Sequence, residues 1–242
     1  MSSSSQQAIA AEQRPAAPQQ ALPTALALGM VGALGEEVLA QLVGGTDYRV
    51  VHVGVSQPIG STSARFRPWV VGVGVVVADD GFLCVADAST FVPAGSPIRV
   101  YSESQILGAA QLARQCGVSR FVVIAPLGAL LQMNRAAAAF DAHTEVALRE
   151  LGFERLVIVR PTAADIARSH GLGGIVRSVG RTLADIMLPG YTRALSAQTA
   201  ARALLEAVRR APPGVTVVGA RELRAIVDAK FPQWAPKATK IR

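Results

Sequence analysis

Apolar and polar positions along the chain follow two spacings, and the spacing switches roughly every ten to fifteen residues. Ala25 to Leu28 is a short apolar run that reads as a buried strand. It leads directly into Gly29-Met-Val-Gly32-Ala-Leu-Gly35. Glu36 to Val43 then has helical spacing, with Val38, Leu39 and Leu42 on one face, and Gly44-Gly45 stops it. Arg49 to Val53 is β-branched and reads as a second strand.

The next stretch is less regular. Ser56 to Arg67 reads as a loop, and the valine-rich run Trp69 to Val77 as a strand. Asp79-Asp80-Gly81 is a turn signal before another buried strand, Phe82 to Val85. A parallel crossover needs about a dozen residues or more. So either these two strands form a hairpin or one assignment is wrong.

Regular alternation then returns. Ser102 to Cys116 is an amphipathic helix ended by Gly117, and Phe121 to Ala125 is a strand. Asp141 to Leu151 is a helix ended by Gly152, and Leu156 to Val159 is a strand followed by Arg160-Pro161. Helices follow at Leu172 to Met187 and Ser196 to Arg210, then a strand at Val215 to Val218 and a closing helix at Ala220 to Ala229. Strands alternating with helices of this length predict an α/β fold: a doubly wound, mostly parallel sheet in a single Rossmann-like domain. The domain is expected over residues 23–229. A polar Pro/Gln-rich arm (1–22), expected to be disordered, precedes it, and a basic tail (230–242) follows.

Composition changes this picture in three ways. Half of the 242 residues are hydrophobic and 17% are charged, enough apolar material for one large core. No apolar run approaches the roughly 20 residues needed to span a bilayer, and the arm lacks the basic-then-apolar pattern of a secretory signal. Cys84 and Cys116 sit in apolar surroundings without a CxxC or Cys/His cluster, so buried free thiols and no metal are expected. These features point to a cytoplasmic protein with no membrane insertion. The net charge of +7 is concentrated after Ala201, where nine Lys/Arg face three Asp/Glu. With no DNA-binding motif and few aromatic residues there, a solvated helix face and tail is the expectation, not a nucleic-acid site. Lysine occurs only at Lys230, Lys237 and Lys240. Codon bias is the expected cause of the scarcity, and any mechanism needing a lysine in the first 229 residues is excluded whatever the cause.

The glycine run carries the candidate chemistry. Gly29, Gly32 and Gly35 stand between the first strand and the first helix. In that context the first glycine permits a tight turn, the second a close backbone approach to a pyrophosphate, and the third tight helix–sheet packing. The helix N-terminus then offers free N–H groups to phosphate. The candidate dinucleotide-binding residues are therefore Gly29, Met30, Val31, Gly32, Ala33, Leu34 and Gly35, joined by Val55 and Ser56 after the second strand and Ala125 after the fifth. A turn kept for packing alone would show the same glycines. The ribose reader at the end of the second strand is acidic for NAD and basic for NADP. Val53 to Gln57 carries no charge, and Arg65 or Arg67 would have to fold back to serve, so the choice between NAD and NADP stays open.

Over Ala25 to about Ala229 the chain resembles the atypical short-chain dehydrogenase/reductases of the Tat-interacting-protein-like and NAD(P)H-binding (NmrA-like) type. Besides the glycine run, the resemblance rests on Gln111-Leu-Ala-Arg-Gln-Cys-Gly-Val-Ser-Arg-Phe-Val-Val-Ile-Ala125 and Leu127-Gly-Ala129. It also rests on Glu145 with Leu148 to Phe153, and on Leu156-Val-Ile-Val-Arg160-Pro161. The resemblance implies NAD or NADP as cofactor. It also implies a serine–tyrosine–lysine catalytic set, and this set is missing. Ala125 and Pro126 stand where serines end the fifth strand, and Ala137 and Asp141 fall at the tyrosine and lysine positions. Four residues after Tyr48, Tyr101 and Tyr191 stand His52, Gln105 and Leu195, so no Tyr-x-x-x-Lys exists in any register. Losing the general acid alone removes about 10²–10⁴-fold in rate.

Other reactive residues are scattered. His52, His143 and His170 form no cluster, Asp141 and Glu145 share a helix face that reads as solvated, and no G-x-S-x-G is present. Arg160 is expected to cap strand-end carbonyls or to pair with a helix carboxylate. Three readings remain. The first is a non-catalytic dinucleotide-binding sensor, regulator or assembly partner of an unidentified protein. The second is an oxidoreductase with a non-standard proton donor, and the third an interaction protein that binds no nucleotide.

Overall fold

The computed structural model describes residues 21–87, 90–125, 142–161, 166–167 and 195–230. A seven-stranded sheet forms its centre. In chain order the elements are β1 (Thr24–Leu28), α1 (Gly32–Gly44), β2 (Val50–Val55), β3 (Phe66–Val70) and β4 (Asp80–Cys84). After a short 3₁₀ turn come α2 (Ile106–Gln115), β5 (Arg120–Ile124), α3 (Ala142–Glu150) and β6 (Arg155–Arg160). Two-residue strands β7 (Ile166–Ala167) and β8 (Leu195–Ser196) pair with each other, before α4 (Ala197–Arg210), β9 (Gly214–Gly219) and α5 (Ala220–Lys230).

The sheet order is β3-β2-β1-β4-β5-β6-β9, and every pairing is parallel. This is the expected doubly wound, Rossmann-like α/β fold. Near-continuous apolar strands fill the middle because both faces are covered. Alternate residues divide between two cores. Ala25, Ala27, Val122, Ile124, Val157 and Val159 face α1, α4 and α5. Leu26, Leu28, Val123, Leu156 and Ile158 face α2 and α3. Helix α4 packs on α1, and its buried Ala200, Ala201, Ala203 and Leu204 join the core that α1 covers. Ser196 caps α4, its hydroxyl accepting the Thr199 amide at 3.1 Å. Both cysteines are buried free thiols, as expected.

The irregular stretch is where the expectations need correction. The segment expected to be loop up to Arg67 already contains the start of β3 at Phe66. The expected strand Trp69 to Val77 stops at Val70. Gly72 and Gly74 adopt φ of +89° and +69°, which breaks the extended run, and Val73, Val75 and Val77 are exposed. Asp80 and Gly81 belong to β4 and not to a turn. No hairpin forms: β3 and β4 lie two strands apart, with β2 and β1 between them. The nine-residue link Val71 to Asp79 crosses the sheet face without a helix, packing Val71, Val76 and Ala78 beside α2.

The predicted helix Leu172 to Met187 lies outside the described residues, as do Asp141, His170, residues 1–20 of the arm and residues 231–242 of the tail. No helix among the described residues is long and apolar enough to cross a membrane.

Candidate functional site

Parallel strands end together at one edge of the sheet, and chain connections leave β1 and β4 in opposite directions there. That divergence opens the crevice in which open α/β sheets bind ligands. The glycine turn stands at this point, between the end of β1 and the first turn of α1.

The three glycines serve three distinct geometries. Gly29 adopts φ of +67°, and a Cβ there would overlap the carbonyl oxygen of Cys84 at the end of β4. The Tyr101 ring is also within 3.3 Å of that position. Gly29 is therefore required by the packing of β1 on β4. Gly32 adopts φ of +73°, and a Cβ there would meet one atom, the methyl of Thr90, at 2.9 Å. Gly35 lets α1 lie close to the sheet, because a Cβ would sit 3.2 Å from the Cys84 sulfur.

The intervening side chains are structural. Met30, Val31 and Leu34 are buried, with Met30 and Leu34 in the core beneath α1, so only their backbone is available to a ligand. Gly32 and Ala33 are half-buried and form the open part of the turn. Val31 is the N-cap residue, and no side chain caps α1; its first turn holds no acidic residue. The first N–H groups of α1 therefore keep their unfilled donor capacity and the positive end of the helix dipole.

Val55 is the last residue of β2 and Ser56 follows it. Val55 is fully buried, and Ser56 is exposed with its hydroxyl donating to the Pro97 carbonyl at 3.1 Å. Ala125 follows β5, buried, its amide bonded to the Val159 carbonyl, and offers no hydroxyl. Pro126, Ala137 and Asp141 lie outside the described residues.

Arg65 and Arg67 do not reach this edge. The Arg65 guanidinium donates to the carbonyls of Val43 and Gly45, closing the C-terminal end of α1. Arg67 lies in β3 level with His52, whose imidazole is held below its ordinary pKa by burial and then by the Arg67 charge. No local pattern along the chain signals the residues that do reach the turn. The link between β4 and α2 folds back over it. Thr90 touches Gly32, and its hydroxyl and amide bond to Asp87. Residues Pro97 to Arg99 run antiparallel beside the end of β2, with the Arg99 amide bonded to the Gly54 carbonyl at 3.2 Å. The exposed Arg99 guanidinium stacks over the Tyr101 ring at 5.5 Å. The Tyr101 hydroxyl is buried and has no hydrogen-bond partner among the described residues.

Among the described residues, no activated nucleophile emerges beside the turn. Burial, assisted by the Asp87 charge, pushes the Cys84 thiol up to about 12, which keeps it protonated and inert. Glu145 on α3 bonds to Arg149 at 2.6 Å and to Arg160 at 3.1 Å, so Arg160 pairs with a helix carboxylate as expected. The Arg149 hydrogen bond, joined by the Arg160 charge, holds the Glu145 carboxyl below its usual range, the wrong direction for a general acid. His143 is exposed on the same helix. Among the described residues, no group of three or more His, Cys, Asp and Glu side chains could hold a metal ion.

No protein-family model matches the chain, and no curated protein matches it in sequence. Solved structures do share its architecture. The reductase domain of PhqB from Penicillium fellutanum is 15% identical, with a TM-score of 0.51 over 82% of this chain and 67% of that one. The enzyme WbmF of Bordetella bronchiseptica, solved in complex with NADH, is 12% identical, with a TM-score of 0.43 over 88% and 78% of the two chains. A short-chain dehydrogenase of Burkholderia cenocepacia, solved with NADP, is 15% identical, with a TM-score of 0.43 over 88% and 95%. At these identities the likeness is one of fold: the chain has a Rossmann-like α/β architecture.

Proposed function

We propose that this chain is a cytoplasmic, non-catalytic NAD(P)-binding protein, a reductase-like domain acting as sensor, regulator or assembly partner. The observation that carries the reading is the uncapped head of α1. It stands at the switch point of the sheet, with two glycines in left-handed conformations and no acidic residue in its first turn. A pyrophosphate fits that chemistry, held by the backbone N–H groups of Gly32 and Ala33. The bound dinucleotide would bring the capacity for hydride transfer, but the chain lacks the Tyr-x-x-x-Lys pair that moves the accompanying proton. The exposed Arg99 beside the end of β2 supplies a basic group where the 2′-phosphate of NADP would lie, which favours NADPH over NADH.

A second reading, an interaction protein that binds no nucleotide, is favoured by Thr90, whose methyl takes the space beside Gly32 that a phosphate would approach. Titration with NADH and NADPH, followed by nicotinamide fluorescence and thermal shift, separates the two. Saturable binding is expected, stronger for NADPH. By linkage, a cofactor at about 100 times its Kd raises stability by about 2.7 kcal/mol. Gly32→Asp abolishes binding, and Arg99→Gln removes the preference. No shift with either cofactor at millimolar concentration selects the second reading. Turnover of a carbonyl panel with bound NADPH would replace both by an oxidoreductase with a non-standard proton donor.

A further inference from the structure

A cavity lies at the edge of the sheet opposite the glycine turn. Its volume is about 370 Å³, within the range of roughly 300–1,000 Å³ typical of small-molecule sites. Asp80, Arg120 and Arg155 are the first residues of β4, β5 and β6, so parallel pairing brings them together at the strands' N-terminal edge. The glycine turn is one strand length away, roughly 15–20 Å. The apolar wall comes from both layers: Phe82 and Val157 from the sheet, Leu205 and Val208 from α4.

The charged groups of the cavity are unequally satisfied. The Asp80 carboxylate accepts from the Tyr48 hydroxyl at 2.8 Å and from Arg120 through both Nε and Nη2. Asp47 is taken by Arg209 at 2.6 Å, and Arg209 also bonds to Glu206. Arg155 has no such carboxylate among the described residues. Its Nε is buried and has no hydrogen-bond partner there, and its Nη1 makes one long contact, 3.5 Å, to the Val208 carbonyl. A buried guanidinium donor with no acceptor is costly, and a planar carboxylate matches the guanidinium fork with two parallel bonds.

We propose that this cavity binds a small amphipathic anion, with its carboxylate on Arg155 and its apolar body between the sheet and α4. The site is independent of the glycine turn. Its ligand class is a monocarboxylate with an aliphatic or aromatic tail, because Arg155 is the cavity's cation without a carboxylate partner among the described residues, and Phe82, Val157, Leu205 and Val208 give the cavity an apolar wall.

Isothermal titration of the full chain with octanoate, octanol and inorganic phosphate tests this. Octanoate is expected to bind saturably, and octanol and phosphate each at least about tenfold more weakly, since one lacks the charge and the other the tail. Arg155→Gln lowers octanoate affinity about tenfold, and Arg155→Lys restores only part of it because the charge returns without the fork. Val208→Phe fills the apolar end and weakens octanoate without touching the cation, so the proposal stays testable if Arg155→Gln does not fold. Three results would overturn it: no saturable heat with octanoate, phosphate binding as tightly as octanoate, or octanoate affinity unchanged in the folded variants.

Discussion

Replacing Gly29 by alanine separates two costs that usually arrive together. The residue adopts φ of +67°, and its Cβ would overlap the Cys84 carbonyl. The left-handed conformation costs an alanine about 1–2 kcal/mol. The overlap adds the cost of forcing strands apart, about 1–3 kcal/mol for overpacking of an ordinary core. Here the obstructing atom is backbone, and β1 is paired to β2 and β4 on its two sides, so neither strand has room to move. The total comes to about 2–5 kcal/mol, a large part of the roughly 5–15 kcal/mol that holds a domain together. Gly74 is the matched control: its φ is +69°, and nothing lies within 4 Å of its Cβ position. Gly74→Ala should lose only the conformational part, about 1–2 kcal/mol. Urea unfolding of both variants at constant m-value gives the two losses directly. If Gly29→Ala costs no more than Gly74→Ala, the close approach of β4 to the turn is not as described.

Two further outcomes follow from the polar network and from α3. Tyr48→Phe removes a buried hydrogen bond to Asp80 but leaves Arg120 on the carboxylate, so unfolding in urea should show a loss of about 1–2 kcal/mol; a loss near zero would mean that Tyr48 and Asp80 are not joined. Glu145 has its folded pKa lowered, so its contribution is full above its unfolded value near about 4.3 and disappears as pH falls through the folded value. Melting curves of wild type and Glu145→Gln should therefore differ near neutral pH and converge in acid, whereas a constant offset would contradict the pairing with Arg149 and Arg160.

How well the sequence foretold each part depended on how local its cause was. The strands from Ala25, Arg49, Phe121 and Leu156 followed from apolar and β-branched runs, and the helices from Ser102 and Ser196 from periodicity, because each signal lies among near neighbours in the chain. The valine-rich run failed for an identifiable reason. Its composition suits a strand, but Gly72 and Gly74 turn left-handed and its valines face outward. Asp80 looked like a turn residue because local pattern cannot reveal a buried partner 32 residues before it and another 40 residues after it. At the turn, the glycines were legible and the surroundings were not. Thr90, Arg99 and Tyr101 lie about sixty to seventy residues further along the chain, in a link with no periodic signal.

From the sequence alone came the alternation of strand and helix, the glycine run at the first such junction, and the absence of any Tyr-x-x-x-Lys. All three are properties of residue identity and short spacing, and no folding can alter them. Tertiary structure alone decided that β3 and β4 lie apart, and that Gly29 is required by packing while only Gly32 borders open space and Thr90. It also decided that three strand-leading residues, Asp80, Arg120 and Arg155, meet at one edge. These depend on strand order and register, which bring together residues that no local pattern connects.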